Sequence, residues 1–227
     1  MKKILYLLPF LLFIISCTKE SIEIQKNPVL EEQVSENMER TDGNGIAIGN
    51  QVWMTKNLNV SHYRNGDTIL MVNSPTDWAK LKTGAWCYYG IQSAKGITYG
   101  KLYNWYAVRD PRGLAPAGWH IPSDSEWNVL KIFLGGEKAA GGRMKATNNW
   151  NAPNNGATNI SGFTALPGGY RDATGAFKYI GYYGYWWSST QLNTNFAWYH
   201  NLSYNYPFIS RNYNYKSFGF SVRCVKN

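Results

Sequence analysis

Residues Gly181 to Arg223 read GYYGYWWSSTQLNTNFAWYHNLSYNYPFISRNYNYKSFGFSVR, and the way this stretch folds decides the architecture of the chain. It opens on Trp186-Trp187-Ser188-Ser189-Thr190. It closes on Phe218-Gly219-Phe220-Ser221-Val222-Arg223-Cys224, which alternates apolar and polar residues as a half-buried strand does. Between Gln191 and Tyr215, 11 of 25 residues are Asn or Tyr. Such a composition resists burial, because each buried amide or phenol needs a partner. It suits a contact surface: tyrosine offers rigid amphipathic area and asparagine adaptable hydrogen bonding. The stretch is expected to form a surface between two fixed ends, with at least one tryptophan of the pair in the core and the other free to stack on a sugar.

Working outward, the start of the chain carries the most specific local signal. Lys2 and Lys3 precede an apolar run, Ile4 to Ile15, too short to span a bilayer. The run ends at Ile14-Ile15-Ser16-Cys17, which resembles a bacterial lipobox; the resemblance implies diacylation at Cys17 and removal of what precedes it. Residues 1–17 are thus expected to be a lipoprotein signal peptide, and the protein to sit lipid-anchored at the bacterial outer membrane or cell surface. Thr18-Lys19-Glu20 weakly resembles the surface-export signal of lipoproteins in Bacteroidetes-type bacteria. Residues 18–42 are polar, carry seven acids against three bases, and lack apolar periodicity, as a flexible tether would. Residues 43–227 are expected to form one domain.

The formal charge of +9 hides an asymmetry: from Gly43 onward 18 basic residues face 7 acidic ones. The cations are spread singly, without a basic cluster or a nucleic-acid-binding signature, so no nucleic-acid partner is expected. The field suits an anionic glycan or an acidic protein partner better. Cys87 and Cys224 both sit in strand-like surroundings and, in an oxidising compartment, are expected to pair as a disulfide; two buried free thiols are the alternative.

Further signals place the elements. Ile46 to Met54 holds two alternating runs around Gly49-Asn50, a hairpin signal. Ser74-Pro75-Thr76-Asp77 reads as a helix start with Trp78 and Leu81 facing inward. The strongest helix runs from Asp124 to Leu134: Ser123 and Glu126 form a capping box, Trp127, Leu130 and Leu134 share a face, and Gly135-Gly136 stop it. Gly141-Gly142 and Gly168-Gly169 read as turns. Lys145 to Gly169, rich in Asn, Gly, Thr and Pro, reads as a long loop that either binds something or is pinned by Trp150 and Phe163.

Six ordered motifs carry a family resemblance. They are Val52-Trp53-Met54-Thr55-Lys56-Asn57-Leu58, Tyr99 to Val108 (YGKLYNWYAV), Gly118 to Trp127 (GWHIPSDSEW), Gly162 to Arg171 (GFTALPGGYR), Trp186 to Thr190 (WWSST) and Gly219 to Cys224 (GFSVRC). Together they resemble the Fibrobacter succinogenes major paralogous domain, common on bacterial lipoproteins. More distantly, the order is similar to the C-type-lectin-like fold shared with formylglycine-generating enzymes. The implied class is α+β: small antiparallel sheets, two helices, long loops and paired terminal strands. The calcium-binding Glu-Pro-Asn of lectins is missing, and so is the cysteine pair of formylglycine-generating enzymes, so neither a metal nor that chemistry carries over.

The Asn/Tyr stretch also resembles the variable segment of lectin-like proteins diversified by retroelements at asparagine codons. Arg211, Lys216, Ser217 and Gly219 then look fixed, while Asn212, Tyr213, Asn214, Tyr215 and Phe218 look variable, as do Tyr199, His200, Asn201, Tyr204, Asn205, Tyr206 and Phe208. Trp198, Tyr199, His200, Tyr204, Tyr206, Phe208, Asn212, Tyr213 and Tyr215 are the expected ligand-contacting residues, for an extracellular protein or glycan. An enzyme is not expected, and no cofactor is implied. His62, His120, His200, Ser188, Ser189 and Asp172 fall in no nucleophile elbow, metal-binding helix or phosphate loop. His120 reads as a hydrogen-bonded structural histidine, and Ser188 and Ser189 as turn or strand-end hydroxyls.

Overall fold

The computed structural model describes residues 40–41 and 45–227; the leader, Cys17 and the tether through Glu39 lie outside the described residues. Three sheets and five α-helices organise these residues. A five-stranded sheet begins with β1 (Arg40–Thr41), β2 (Gly45–Ile48) and β3 (Gln51–Met54). It continues through the C-terminal β14 (Val225–Lys226) to β7 (Trp119–His120). Gly49, at φ 63°, makes the β2–β3 turn. Val225 lies opposite Trp53, so the ends of the domain are paired, as the resemblance implied.

The second sheet runs β4 (Leu70–Met71), β5 (Ala85–Cys87), β6 (Leu102–Asn104), β13 (Gly219–Phe220), β8 (Tyr170–Arg171) and β9 (Phe177–Lys178). All pairings in the three sheets are antiparallel except β4–β5. The third sheet is a meander of β10 (Tyr183–Gln191), β11 (Phe196–Ser203) and β12 (Tyr206–Tyr215). The architecture is therefore α+β, dominated by antiparallel sheet.

The helices are α1 (Pro75–Lys80), α2 (Ser93–Tyr99), α3 (Trp105–Val108), α4 (Asp124–Phe133) and α5 (Glu137–Met144). Five thus replace the expected two. In α1 the Ser74 side chain accepts from the Asp77 N–H, and in α4 both arms of the Ser123/Glu126 capping box are made. Both starts are where local chemistry put them. Gly141-Gly142 is no turn but the middle of α5, pressed against β12. A Cβ on Gly141 would collide with the Phe208 carbonyl, and one on Gly142 with the Gly156 carbonyl. Helix propensity there yields to close backbone approach.

The meander is a wall between two cores. Trp186 packs on one side with Trp53, Trp127, Phe163, Leu202 and Ile209. Trp187 packs on the other with Tyr103, Trp105, Tyr185 and Phe220. Successive strand residues point to opposite faces, and at β10 both faces are covered. Trp186 and Trp187 are 1% and 0% exposed, so neither ring is available to a sugar.

The closing segment is also buried on both sides. Gly219 through Val225 are all buried, and only β13 and β14 within it join a ladder. Its polar positions looked like a solvent face, but Arg223 is fully enclosed over the Phe163 ring, 4.2 Å from the centroid. Its nitrogens donate to Asn57 Oδ1 (3.1 and 2.8 Å), to the Met54 carbonyl (2.9 Å) and to the Phe163 carbonyl.

Cys87 and Cys224 are buried free thiols, not a disulfide. Cys87 ends β5 in a small cluster with Val72, Trp78, Ala85 and Leu102. Cys224 follows the crossover from the second sheet to the first and packs in the core around Trp187 and Phe220. Two strand-like neighbourhoods do not specify one sheet, and disulfide geometry needs adjacent Cβ atoms. Burial pushes the Cys87 and Cys224 thiols up to about 11 and about 12.

Candidate functional site

Lys145 to Gly169 contains neither helix nor ladder strand, and it is pinned from inside. Phe163 and Trp150 are 0% and 8% exposed, and Asn149, Asn154, Asn159 and Thr164 hold positive φ. Lys145, wholly buried, does the rest. Its ammonium donates to the carbonyls of Asn155 (2.8 Å), Ser203 (2.9 Å) and Tyr206 (3.1 Å), which ties the loop to the β11–β12 turn. Burial alone lowers its pKa to about 8. Nothing in the local sequence marked this lysine; the free carbonyls it serves exist only in the folded chain.

The same device recurs. Lys101, Lys145, Arg171, Lys216 and Arg223 are buried, each beside an aromatic ring: Trp86, Trp150, Trp78, Trp105 and Phe163 respectively. Their donors go to backbone carbonyls or side-chain amides. Five of the domain's 18 basic residues therefore serve the core, which weakens the inference from net charge to an anionic partner.

Register divides the expected contact residues. In the antiparallel β11–β12 pair, Trp198 opposes Tyr213, His200 opposes Arg211, Phe196 opposes Tyr215 and Leu202 opposes Ile209. Opposed residues share a face. One end of this face, with Leu202, Ile209 and His200, enters the core; the other end holds an aromatic cluster. Phe196 lies 4.5 Å from Tyr215 and 5.6 Å from Tyr213, and Trp198 lies 5.6 Å from Tyr213 between ring centroids. Tyr213 and Tyr215 are 53% and 52% exposed.

The remaining expected contacts lie elsewhere. Tyr206 and Phe208 stack on each other at 5.6 Å, exposed on the side of β12 away from buried Ile209. Asn212 is exposed and donates to Asn201 Oδ1 at 3.2 Å. Tyr204 is half-buried and edge-on to Tyr182. Tyr199 points into the second core against Phe220 (4.7 Å), where burial raises its pKa to about 12. One expected surface becomes two exposed patches and an interior set.

His200 is the clearest correction. It is 2% exposed, stacked 4.9 Å from Trp127, with Nε2 3.1 Å from Asp124 Oδ1. Burial lowers its pKa against the opposing pull of Asp124. Asp124 looked like a helix-start residue only, but it also receives Arg211 Nε at 2.9 and 2.7 Å. Burial pushes its carboxyl up, yet the bonds and charges of His200 and Arg211 outweigh this and bring it down to about 2. The Arg211 guanidinium lies 3.3 Å from the Trp198 centroid, so the ion pair runs directly into the aromatic cluster. Phe196 and Arg211 join this site unforeseen; their alternation with Trp198 and Tyr213 was the available signal.

The other polar candidates stay apart. His120 bonds Glu126 (2.6 Å) and Asn227 (2.8 Å), a structural histidine as expected. Ser188 Oγ accepts from the Thr190 N–H, and Asp172 closes its own turn through Thr174 and Ala176. Among the described residues no three His, Cys, Asp or Glu side chains gather as a metal ligand set. A groove of about 570 Å³ lies between Thr55–Asn59 and α2, away from the Asn/Tyr stretch. Asn57 within it is already bonded to Trp186, Arg223 and Tyr99. Among the described residues no helix is long and apolar enough to cross a membrane.

The model of the Fibrobacter succinogenes major domain matches residues 46–226, from the first hairpin to the closing strand. The chain belongs to this family. No curated protein and no solved structure matches it.

Proposed function

We propose that this Fibrobacter succinogenes major domain protein is a cell-surface lipoprotein that binds an external protein or glycan through the β11–β12 side of its meander, on a C-type-lectin-like scaffold. One observation carries the reading. Among the described residues, every exposed aromatic side chain lies between Tyr179 and Tyr215: Tyr179, Tyr182, Tyr206, Phe208, Tyr213 and Tyr215. Four of them stand on β12 in two patches, Tyr213 with Tyr215 and Tyr206 with Phe208, and exposed aromatics on a rigid sheet are what binding hot spots require. The lectin-like arrangement is supported by the paired termini, the small sheets and the long internally pinned loop. The lipid anchor rests on the sequence ending at Cys17.

Diversification of the stretch is part of the same proposal. Positions expected to be fixed are those the fold needs: Lys216 sits over Trp105, Gly219 against Trp78, and Arg211 on Asp124. Asn212, Tyr213, Tyr215, Tyr206 and Phe208, expected to vary, are exposed, so substitution there costs little stability; His200, Tyr199 and Phe218 of the same expected set are packed inside, which restricts the proposal to the exposed positions.

The test is binding of the full chain across glycan and protein arrays, repeated with Tyr213→Ala/Tyr215→Ala and with Tyr206→Ala. Loss of a specific interaction with an unchanged thermal midpoint supports the reading. Retained binding in both variants refutes it and favours a structural envelope protein.

A further inference from the structure

Beside the aromatic cluster a cavity of about 400 Å³ is lined by Asp124, Ser125, Asn128, Lys131, His200 and Arg211. Its volume falls in the range of small-molecule sites. Asp124, Asn128 and Lys131 stand at i, i+4 and i+7 of α4 and so share one face. Arg211 reaches in from β12, paired with His200.

Arg211 is prepared as a receptor. Both Asp124 oxygens bond its Nε, and Trp198 covers its plane, but its two Nη groups bond no described residue. A guanidinium held this way loses little freedom on presenting its fork to a carboxylate. Lys131 lines the same cavity as His200 and Arg211 and makes no ion pair among the described residues. Asp124 offsets one of the two cations and leaves the other uncompensated. Ser125 and Asn128 add a hydroxyl and an amide to the lining, and next to Arg211, outside that lining, lie Trp198 and the exposed Tyr213 ring.

We propose that this cavity binds a carboxylate-bearing sugar, a hexuronate unit of an acidic glycan. Its carboxylate bridges Arg211 and Lys131, its hydroxyls meet Ser125 and Asn128, and its apolar ring face lies toward Trp198 and Tyr213. An Asp or Glu side chain of a peptide would occupy only a small part of this volume; a pyranose fits within it, occupies more of it and uses the amide and hydroxyl donors. This rests on the reading of the β11–β12 side as the ligand face and names the ligand class.

The test is calorimetric titration of the full chain with hexuronate disaccharides, their neutral hexose counterparts and a Glu-Glu peptide. Saturable binding of at least one uronate is expected, with the neutral sugar at least about tenfold weaker. Lys131→Gln should weaken the uronate about tenfold and leave the thermal midpoint unmoved, since a single charge-assisted bond is lost. Arg211→Gln also frees Asp124, so Lys131→Gln is the decisive variant. No uronate binding, equal binding of neutral sugars, or indifference to Lys131→Gln overturns the proposal. So does a Glu-Glu peptide that binds as tightly with the same sensitivity. If Tyr213→Ala/Tyr215→Ala abolishes array binding while uronates fail, the cavity is refuted and the ligand face stands.

Discussion

Arg223 and Arg211 make the same contact, a guanidinium laid over an aromatic ring, in opposite surroundings. Arg223 is fully buried over Phe163, and all three of its nitrogens are bonded to Asn57 and to the Met54 and Phe163 carbonyls. Arg211 is 41% exposed over Trp198 and, among the described residues, is held by hydrogen bonds through Nε alone. The interior arginine satisfies acceptors that loops leave behind; the edge arginine is fixed in place with its fork bonded to no described residue. An aromatic–cation pair is thus a structural pin or a recognition group according to what happens to the other donors.

The largest effect should come from the pin. Arg223→Met removes the donors to the Met54 and Phe163 carbonyls and leaves Asn57 Oδ1 with Trp186 Nε1 alone, in a dry core, at about 3–5 kcal/mol. Thermal unfolding should show the midpoint falling by about 10 °C or more; a fall of only a degree or two would mean the arginine is not a pin.

Lys145→Met comes next. Three carbonyls lose their donor, for about 2–4 kcal/mol, and hydrogen exchange should show the loop at 145–169 and the β11–β12 turn loosening together. Protection lost in only one of them would break the inferred tie.

Between pin and edge stands His200. Its folded pKa is lowered, so the unfolded chain takes up the proton first. Its contribution is therefore complete above about pH 6.5 and declines as pH falls below that value. Asp124, held at about 2, contributes above about pH 4 and loses its contribution only as pH falls through about 2. Midpoints measured from pH 7 to pH 5 should decline, and His200→Gln should flatten that slope. An unchanged slope would place the titration elsewhere.

The edge itself should matter least for stability. Tyr213→Ala and Tyr215→Ala, on half-exposed rings, should each move the midpoint by no more than about 2 °C. Dithiothreitol should not move it at all, because Cys87 and Cys224 are thiols already.

Much of the scaffold was legible locally. The hairpin at Gly49-Asn50, the caps at Ser74 and Ser123 and the stop at Gly135-Gly136 depend on residues a few positions apart, and each formed as read. The misreadings share a cause. Gly141-Gly142 looked like a turn because a close approach to β12 is invisible from within α5. Phe218 to Cys224 looked half-exposed because alternation reports polarity, not whether a polar group finds partners inside. His200 looked like surface because it lies in a run of polar and aromatic residues, whereas the register that carries it beside Trp127 and Asp124 is set by tertiary packing.

The sequence by itself determined the family, the local starts and stops of helices and hairpin, and the concentration of Asn and Tyr between Gln191 and Tyr215, since these are matters of composition and short-range chemistry. Tertiary structure alone decided which of those residues face outward. Strand register assigned each side chain to one face, and the packing of α4 and α5 covered one end of that face. The carbonyls left by the long loop then drew Lys145 and Arg223 inward, while Arg211 stayed at the edge.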